Sequence, residues 1–505
     1  MNGKPACLSG NMINDKMRSD WGFDGFVVSD CDAISDDATH AYIVNHFNGS
    51  LQVQAQQAIR GGTDLNCGAL YGEQNAAAVR NGLLREAELD VSLQRIYEKA
   101  FQLGVVDQTS GGANPNPHAA LGPEVVDTPA HRQLAIDGAL QGHVLLKNEA
   151  SRLPLKKESV KKLALIGPHA NGSVIFLGGP NYHGDNDIVS SNTPLLRAQA
   201  KLPGATVTYT EGCTVKCSSS SGFAAATAAA KEADTVVLFL GLDDTIENEG
   251  HDRVSLELPG QQMDLATAVA DAAKAPVIVV LVNGGPIAIS ALKSSPKVGA
   301  ILDAFMPGQA AAEATFQLLL GEASPSGLLP VTVYDADFIH RRPITNLDLR
   351  GSGGVTYRYF EGTPLWPFGH GLSFGDFEFS GDATTTLHAT VAEAESQPQC
   401  FSVKVSNAAG AAMTSDVVVL AFIDSKLPDA PRNPKLCDFV REAAVKPGEQ
   451  RDVKICADAI GALALVDAGG NQRVLPGEYT ITVGVKGGVG GAGAGSVVGK
   501  LVITA

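Results

Sequence analysis

No apolar stretch in the 505 residues approaches the ~18 needed for a membrane-spanning helix. The longest candidates, Val236–Leu240 and Pro276–Val282, are only strand-sized. Basic residues are also scarce: 38 Lys and Arg stand against 54 Asp and Glu, a formal charge of −16. That balance argues against nucleic acid or an anionic membrane as the main partner, because both need clustered cations. Charged residues of both signs make up only 18% of the chain and hydrophobic ones 44%, which excludes wholesale disorder and permits large cores. At ~100–200 residues per domain, the length allows roughly three domains.

Several chemical signatures are missing as well. There is no G-x-G-x-x-G fingerprint, no P-loop and no G-x-S-x-G elbow, so nucleotide-binding and serine-hydrolase readings have no support. No solenoid or propeller period repeats. Met1–Cys7 reads MNGKPAC and lacks the basic, apolar and small-residue order of a secretory signal. The chain is therefore expected either to stay inside the cell or to lack its true beginning. Eight cysteines are too sparse for a disulfide scaffold but even in number. Only Cys213-Thr-Val-Lys-Cys217 forms a close pair, open to a local disulfide or, with less support, a metal site. Asn48-Gly-Ser50 and Asn171-Gly-Ser173 fit the glycosylation pattern, a slight lean toward an extracellular history.

What is present falls into three stretches. Trp21–Asp30 reads as a buried strand ending in a carboxylate, Leu51–Arg60 as a helix, and Gly61–Asn66 as a second short strand. Glu86–Leu103 follows as an amphipathic helix, and the Gly/Pro/Asn-rich Thr109–Pro117 as a linker. From about Thr128 to Phe374, the apolar runs Leu163–Gly167, Val236–Gly241, Val277–Asn283 and Val298–Asp303 alternate with Ala-rich helical segments such as Gly222–Ala233 and Gln261–Ala273. That alternation predicts a layered α/β domain with a largely parallel sheet. From about Thr384 onward, Phe401–Ser406, Val417–Phe422, Gln450–Cys456 and Tyr479–Val485 predict a β-sandwich, with Gly487–Gly495 as a hairpin tip.

Two places are equipped for chemistry. Asp30 closes an apolar strand and precedes Cys31-Asp32, the position where α/β barrels carry catalytic groups; the plain alternative is an Asp that caps the next helix. The loop after Val236–Gly241 holds Asp243, Asp244, Glu247, Glu249 and Asp252, five acids in ten residues, beside His251 and Arg253. Loops at the carboxyl ends of parallel strands are the usual functional sites of open α/β sheets, and crowded carboxylates can keep one acid protonated. A solvated acidic surface is the plain alternative there; the ligand spacing of a calcium-binding EF-hand is absent. His131, His169 and His183 read as structural, and Lys147-Asn148 as a domain-docking pair.

Gly25-Phe-Val-Val-Ser-Asp30-Cys-Asp32 resembles the nucleophile motif of glycoside hydrolase family 3, and Thr245-Ile-Glu-Asn-Glu-Gly-His-Asp-Arg253 with Leu258-Pro-Gly-Gln261 its acid/base loop. Val144-Leu-Leu-Lys-Asn148, Met306-Pro-Gly-Gln309, Ser324-Pro-Ser-Gly-Leu328, Thr356-Tyr-Arg-Tyr-Phe360 and Leu365–Ser373 are similar to further signatures of that family, in order. Val405-Ser-Asn407, Val445–Glu449 and Leu475–Tyr479 resemble its fibronectin type III-like domain. The SDCD form is similar to the β-xylosidase and α-arabinofuranosidase branch.

The resemblance implies a multidomain fold of α/β and all-β parts. An incomplete (β/α)8 barrel would span 1–108, a linker 109–127, an α/β sandwich domain 128–374 and a fibronectin type III-like β-sandwich 384–505. It implies a retaining mechanism, whose two carboxyl groups lie ~5–5.5 Å apart. Asp30 would be the nucleophile and Glu249 the acid/base, with Glu247 as second choice. The substrate would be an oligosaccharide or plant cell-wall polysaccharide, most readily a β-xyloside, with β-glucosides and α-arabinofuranosides behind it. No cofactor or metal is called for.

A complete barrel of this type needs about 250 residues, far more than precede Thr109. Met1–Cys7 resembles the segment just past the sixth barrel strand, and the family's upstream sugar-holding Asp, Arg and Lys-His have no counterpart here. A truncated chain is therefore expected, with Met1–Phe101 poorly supported and secretion implied only for a longer protein. The competing class is a non-catalytic carbohydrate-binding or structural protein built from the latter two domains.

Overall fold

The computed structural model describes residues 4–35, 49–106, 116–118, 120–172, 192–248, 251–381, 386–484 and 497–505. The chain divides into two units, Met1–Thr128 and Pro129–Ala505. Glu249, His183, Asn48, Ser173 and the Gly487–Gly495 tip lie outside the described residues.

In the first unit, the helices Leu51–Gly61, Leu70–Arg80 and Glu86–Gln102 dominate. Ala55 and Ala58, three positions apart on one face, pack with Ile34 and Leu70, while Ile59 meets Ala78 and Leu84. Gly62 ends the first helix at φ +102°, donating its N–H to Ala58 O and Ile59 O. A Cβ there would sit 2.5 Å from Ile13 Cγ2, so both the left-handed backbone and the close approach require glycine.

The two strands expected in this unit are reduced to one parallel bridge, Val28↔Leu65. Val27 O accepts from the N–H groups of Asp64 (2.8 Å) and Leu65 (3.0 Å), and Ser29 N donates to Leu65 O (2.9 Å). The expected burial of the Trp21–Asp30 run fails at Val28, which is 49% exposed, and its bridge partner Leu65 is 40% exposed. Among the described residues no further strand of this unit flanks the pair, so its apolar faces lack the neighbours that bury such runs. Among the described residues, the expected barrel portion is thus seen as the helices Asn11–Asp20, Leu51–Gly61, Leu70–Arg80 and Glu86–Gln102, short 3-10 turns and a single bridge.

The second unit carries a six-stranded sheet. Its strands are β1 (Val144–Asn148), β2 (Lys162–Ile166), β3 (Thr206–Thr210), β4 (Thr235–Gly241), β5 (Val277–Val282) and β6 (Val298–Asp303). They lie in the order β1-β6-β5-β4-β2-β3, all neighbours parallel except β1 and β6. Alternate residues feed two cores. Val236, Leu238 and Leu240 join Leu265 and Val269 on one face, while Val237 and Phe239 join Phe316 and Leu319 on the other. Burial on both faces explains why β4, β5 and β6 are continuous apolar runs.

Beyond the sheet lies a β-sandwich. Its strands are β7 (Phe377–Ser380), β8 (Thr386–Thr390), β9 (Gln399–Asn407), β10 (Ser415–Ser425), β11 (Lys435–Val445) and β12 (Gln450–Ala457). They are followed by β13 (Leu465–Val466), β14 (Gln472–Arg473), β15 (Gly477–Val483) and β16 (Val497–Thr504). A five-stranded sheet β11-β10-β15-β16-β8 and a three-stranded sheet β12-β9-β7 share one core, in which Val403 and Ile455 meet Val419 and Ile481. Mixed α/β architecture followed by a β-sandwich is the fold class that the sequence predicts.

Disulfides join Cys31 to Cys67, Cys213 to Cys217, and Cys400 to Cys456 on directly paired residues of β9 and β12. The local Cys213–Cys217 alternative is therefore the one realised. Lys147 and Asn148 do not dock domains. Lys147 Nζ donates to Lys293 O and Ser295 O beside its own sheet, and the Asn148 side chain brackets Leu153.

Candidate active site

Asp30 ends the bridged segment of the first unit, and its surroundings clamp the chain on both sides. The Oγ of buried Ser29 accepts from Asn66 Nδ2 (3.2 Å) and Cys67 N (3.1 Å). On the other side, Cys31 is disulfide-bonded to Cys67, and Asp32 N donates to Cys67 O (2.7 Å). The Asp30 side chain itself is exposed, with Oδ1 accepting from Cys31 N at 2.8 Å. Residues 31–35 form a turn, so among the described residues Asp30 has no adjoining helix to cap.

The anchor beneath this segment is Asp64, which the sequence reading passed over inside its expected second strand. Asp64 is buried, and its two oxygens take Arg18 Nη2 (2.6 Å) and Arg95 Nη1 (2.9 Å). Oδ2 also accepts from Val27 N (2.9 Å), and Arg18 Nη1 donates to Gly25 O (2.7 Å). Two guanidinium groups thereby neutralise one buried carboxylate and fix the backbone three residues ahead of Asp30. An acid inside an otherwise uncharged strand-like run was the available signal.

In the second unit, the acidic loop leaves β4 where its neighbour β5 also ends. Leu242 N donates to Val282 O (2.8 Å), and a Cβ on Gly241 (φ +143°) would collide with the same carbonyl. The loop then fastens itself. Asp243 Oδ1 accepts from Thr245 N and Oγ1, Asn248 Nδ2 donates to Asp244 O, and Asn248 and His251 exchange backbone hydrogen bonds. Glu247 Oε2 pairs with Arg253 Nε at 3.0 Å, and Arg253 Nη2 donates to Pro286 O (3.0 Å) in the turn after β5.

That turn rests on a buried polar pair. Asn283, fully buried, donates from Nδ2 to Asp303 Oδ1 (2.8 Å), which also accepts from Phe305 N (3.1 Å). Burial pushes the Asp303 carboxyl up to about 6, against the opposing pull of these two hydrogen bonds. The sequence reading missed this pair, although Asp303 closes an apolar run just as Asp30 does. His169 is buried, and desolvation lowers it to about 3. His131 lies on the helix Pro129–Gly142.

The acidic loop leaves the carboxyl end of a parallel strand, the edge at which open α/β sheets commonly carry their functional groups. Two family descriptions match the sequence: the glycosyl hydrolase family 3 N terminal domain over residues 1–98 and the glycosyl hydrolase family 3 C-terminal domain over residues 143–374. The chain belongs to glycoside hydrolase family 3. It is similar to Beta-D-xylosidase 1 of Arabidopsis thaliana, with 36% identity over 96% of this chain and 64% of the relative. It is also similar to Beta-xylosidase/alpha-L-arabinofuranosidase 1 of Medicago sativa subsp. varia, with 33% identity over 96% and 63%.

Among solved structures, a family 3 exo-β-xylosidase in complex with a xylobiose aziridine probe superposes with a TM-score of 0.88 at 27% identity, covering 100% of this chain and 64% of that one. A β-glucosidase from Erythrobacter marinus gives 0.78 at 26%, covering 99% and 66%. The chain thus spans less than two thirds of the length of each of these proteins.

Proposed function

We propose that this chain is a retaining glycoside hydrolase that removes terminal β-linked sugar, xylose foremost, from xylo-oligosaccharides and plant cell-wall polysaccharide. The observation that carries the reading is the 36% identity to a β-D-xylosidase across 96% of the chain. The same reading assigns 1–108 to the barrel-type domain, 109–127 to a linker, 128–374 to the α/β sandwich domain and 384–505 to a fibronectin type III-like domain.

Asp30 is the nucleophile that attacks the anomeric carbon, and the clamp around it limits the entropy lost on attack. Glu249 is the acid/base, protonating the leaving oxygen and then deprotonating the water that releases the sugar. Glu247 is the second choice for that role. Its carboxylate is already committed to Arg253, which supports reading it as the fastener of the loop that carries Glu249.

The test is hydrolysis of 4-nitrophenyl β-xyloside and β-glucoside by the chain and by Asp30→Asn. The xyloside should be the better substrate, and Asp30→Asn should lower turnover by on the order of 10³-fold or more. Unchanged turnover in Asp30→Asn would remove the assignment. The Medicago relative's name favours one second reading, α-L-arabinofuranosidase, which the matching arabinofuranoside tests in the same assay.

A further inference from the structure

The ends of β4, β5 and β6 build three stacked layers. The top layer is the acidic loop, held by Glu247 and Arg253. The middle layer is the turn Asn283-Gly-Gly-Pro286. A Cβ placed on Gly284 would lie 3.3 Å from Glu247 Oε1, and one on Gly285 3.2 Å from Arg253 Nη2, so both side chains of the ion pair rest on bare backbone. The bottom layer is Asp303–Met306. The Met306 thioether lies 3.6 Å from that same Gly284 position, and Asn283 N donates to Phe305 O (3.2 Å).

The bottom and middle layers are joined side chain to side chain by the 2.8 Å hydrogen bond from Asn283 to Asp303, both buried. Asn283 Oδ1 has no hydrogen-bond partner. An apolar pair would cost less at two buried strand ends, because it leaves no polar atom without a partner. A polar pair here does something apolar packing cannot: it fixes one direction and one distance between the two turns.

We infer that Asp303 and Asn283 are positioning residues that set the height of the Gly284-Gly285 turn and, through Glu247 and Arg253, the placement of the acidic loop. Neither residue touches the reacting atoms; each acts through the turn above it. The inference rests on the acid/base role proposed for the loop only where catalysis is concerned. The placement itself is read independently of activity.

Hydrogen exchange on the whole chain tests it, comparing wild type with Asp303→Ala, Asp303→Asn and Gly284→Ala. Asp303→Ala should speed exchange in residues 242–258 by about tenfold or more and leave the amides of β4 and β5 protected. Asp303→Asn keeps the accepting oxygen and should restore the loop. Gly284→Ala leaves the buried pair intact but presses on Glu247, and should loosen the loop in the same way. Unchanged exchange in the loop, or opening of β4 and β5 together with it, would overturn the inference, the latter by making the pair merely structural.

A kinetic arm separates this inference from the catalytic reading. A misplaced acid should slow xylosides of poor leaving groups, which need protonation, by about 10–100-fold more than those of a dinitrophenolate, which do not. Glu249→Gln shows that contrast if the acid/base reading holds. If it does not, the reading fails while the exchange result still decides the positioning role.

Discussion

Asp303 is a carboxylic acid where a strand end is wholly enclosed, and the cost of its charge sets a pH dependence. Its carboxyl is raised from an ordinary 3.8 to about 6, so between those values the folded state holds a proton that the unfolded chain releases. Stability should therefore fall as pH rises from about 4 to 6 and level off above. At 1.36 kcal/mol per pKa unit, the loss is about 3 kcal/mol. Asp303→Asn, which cannot ionise, should remove that slope: its melting temperature should match wild type near pH 4 and exceed it at pH 7.5. Parallel melting curves at both pH values would show that the carboxyl is not held neutral. Asp30 presents the opposite surroundings, exposed and bracketed by backbone ties. The sequence showed both acids as strand endings and could not tell them apart. What separates them is the partner Asn283, twenty residues away in the chain and brought alongside by the pairing of β5 with β6.

At the scale of elements, legibility followed burial. The runs that became β2, β4, β5 and β6 stood out because both faces are covered. β3, with the sequence TVTYT, and β11, with its Asp, Arg and Glu, are edge strands whose polar residues broke the pattern. The bridged segment of the first unit erred the other way, since an apolar composition records a preference for burial and not the neighbours that provide it. The same distinction applies to the acidic loop's far anchor. The motif Leu258–Gln261 drew attention to Gln261, but the buried side chain is its neighbour. Gln262 Oε1 accepts from Gly241 N (2.9 Å), and Nε2 donates to Gly241 O (2.9 Å) and Val215 O (2.6 Å) inside the Cys213–Cys217 loop. Gln262→Leu would strip these buried groups of their partner and should cost about 2–4 kcal/mol in thermal or urea unfolding. Gln261→Leu, half exposed, should stay within about 0.5 kcal/mol. Equal effects from the two would deny Gln262 its role as a latch between the end of β4 and the disulfide loop.

At the scale of the whole molecule, the two units differ in how much apolar surface they cover. In the second unit's central sheet, β1, β2, β4, β5 and β6 are buried along nearly their full length between two cores. The first unit has small clusters around Ala55, Ala58 and Ile59. It leaves Trp21 76%, Tyr97 52%, Phe101 50% and Val105 67% exposed. Its firmest feature is polar, the Arg18–Asp64–Arg95 cluster, and buried ion pairs hold geometry better than they add stability. Local opening follows the buried apolar contact available to resist it. Limited proteolysis should therefore cut within Met1–Thr128 first and leave a persistent fragment beginning near Pro129. If Asp30 is the nucleophile proposed above, xyloside hydrolysis should disappear at the rate of those first cuts, while the second unit keeps its circular dichroism. An N-terminal region as resistant as the remainder would refute the argument from exposure. Activity that outlives the cleavage would instead count against the catalytic role of Asp30.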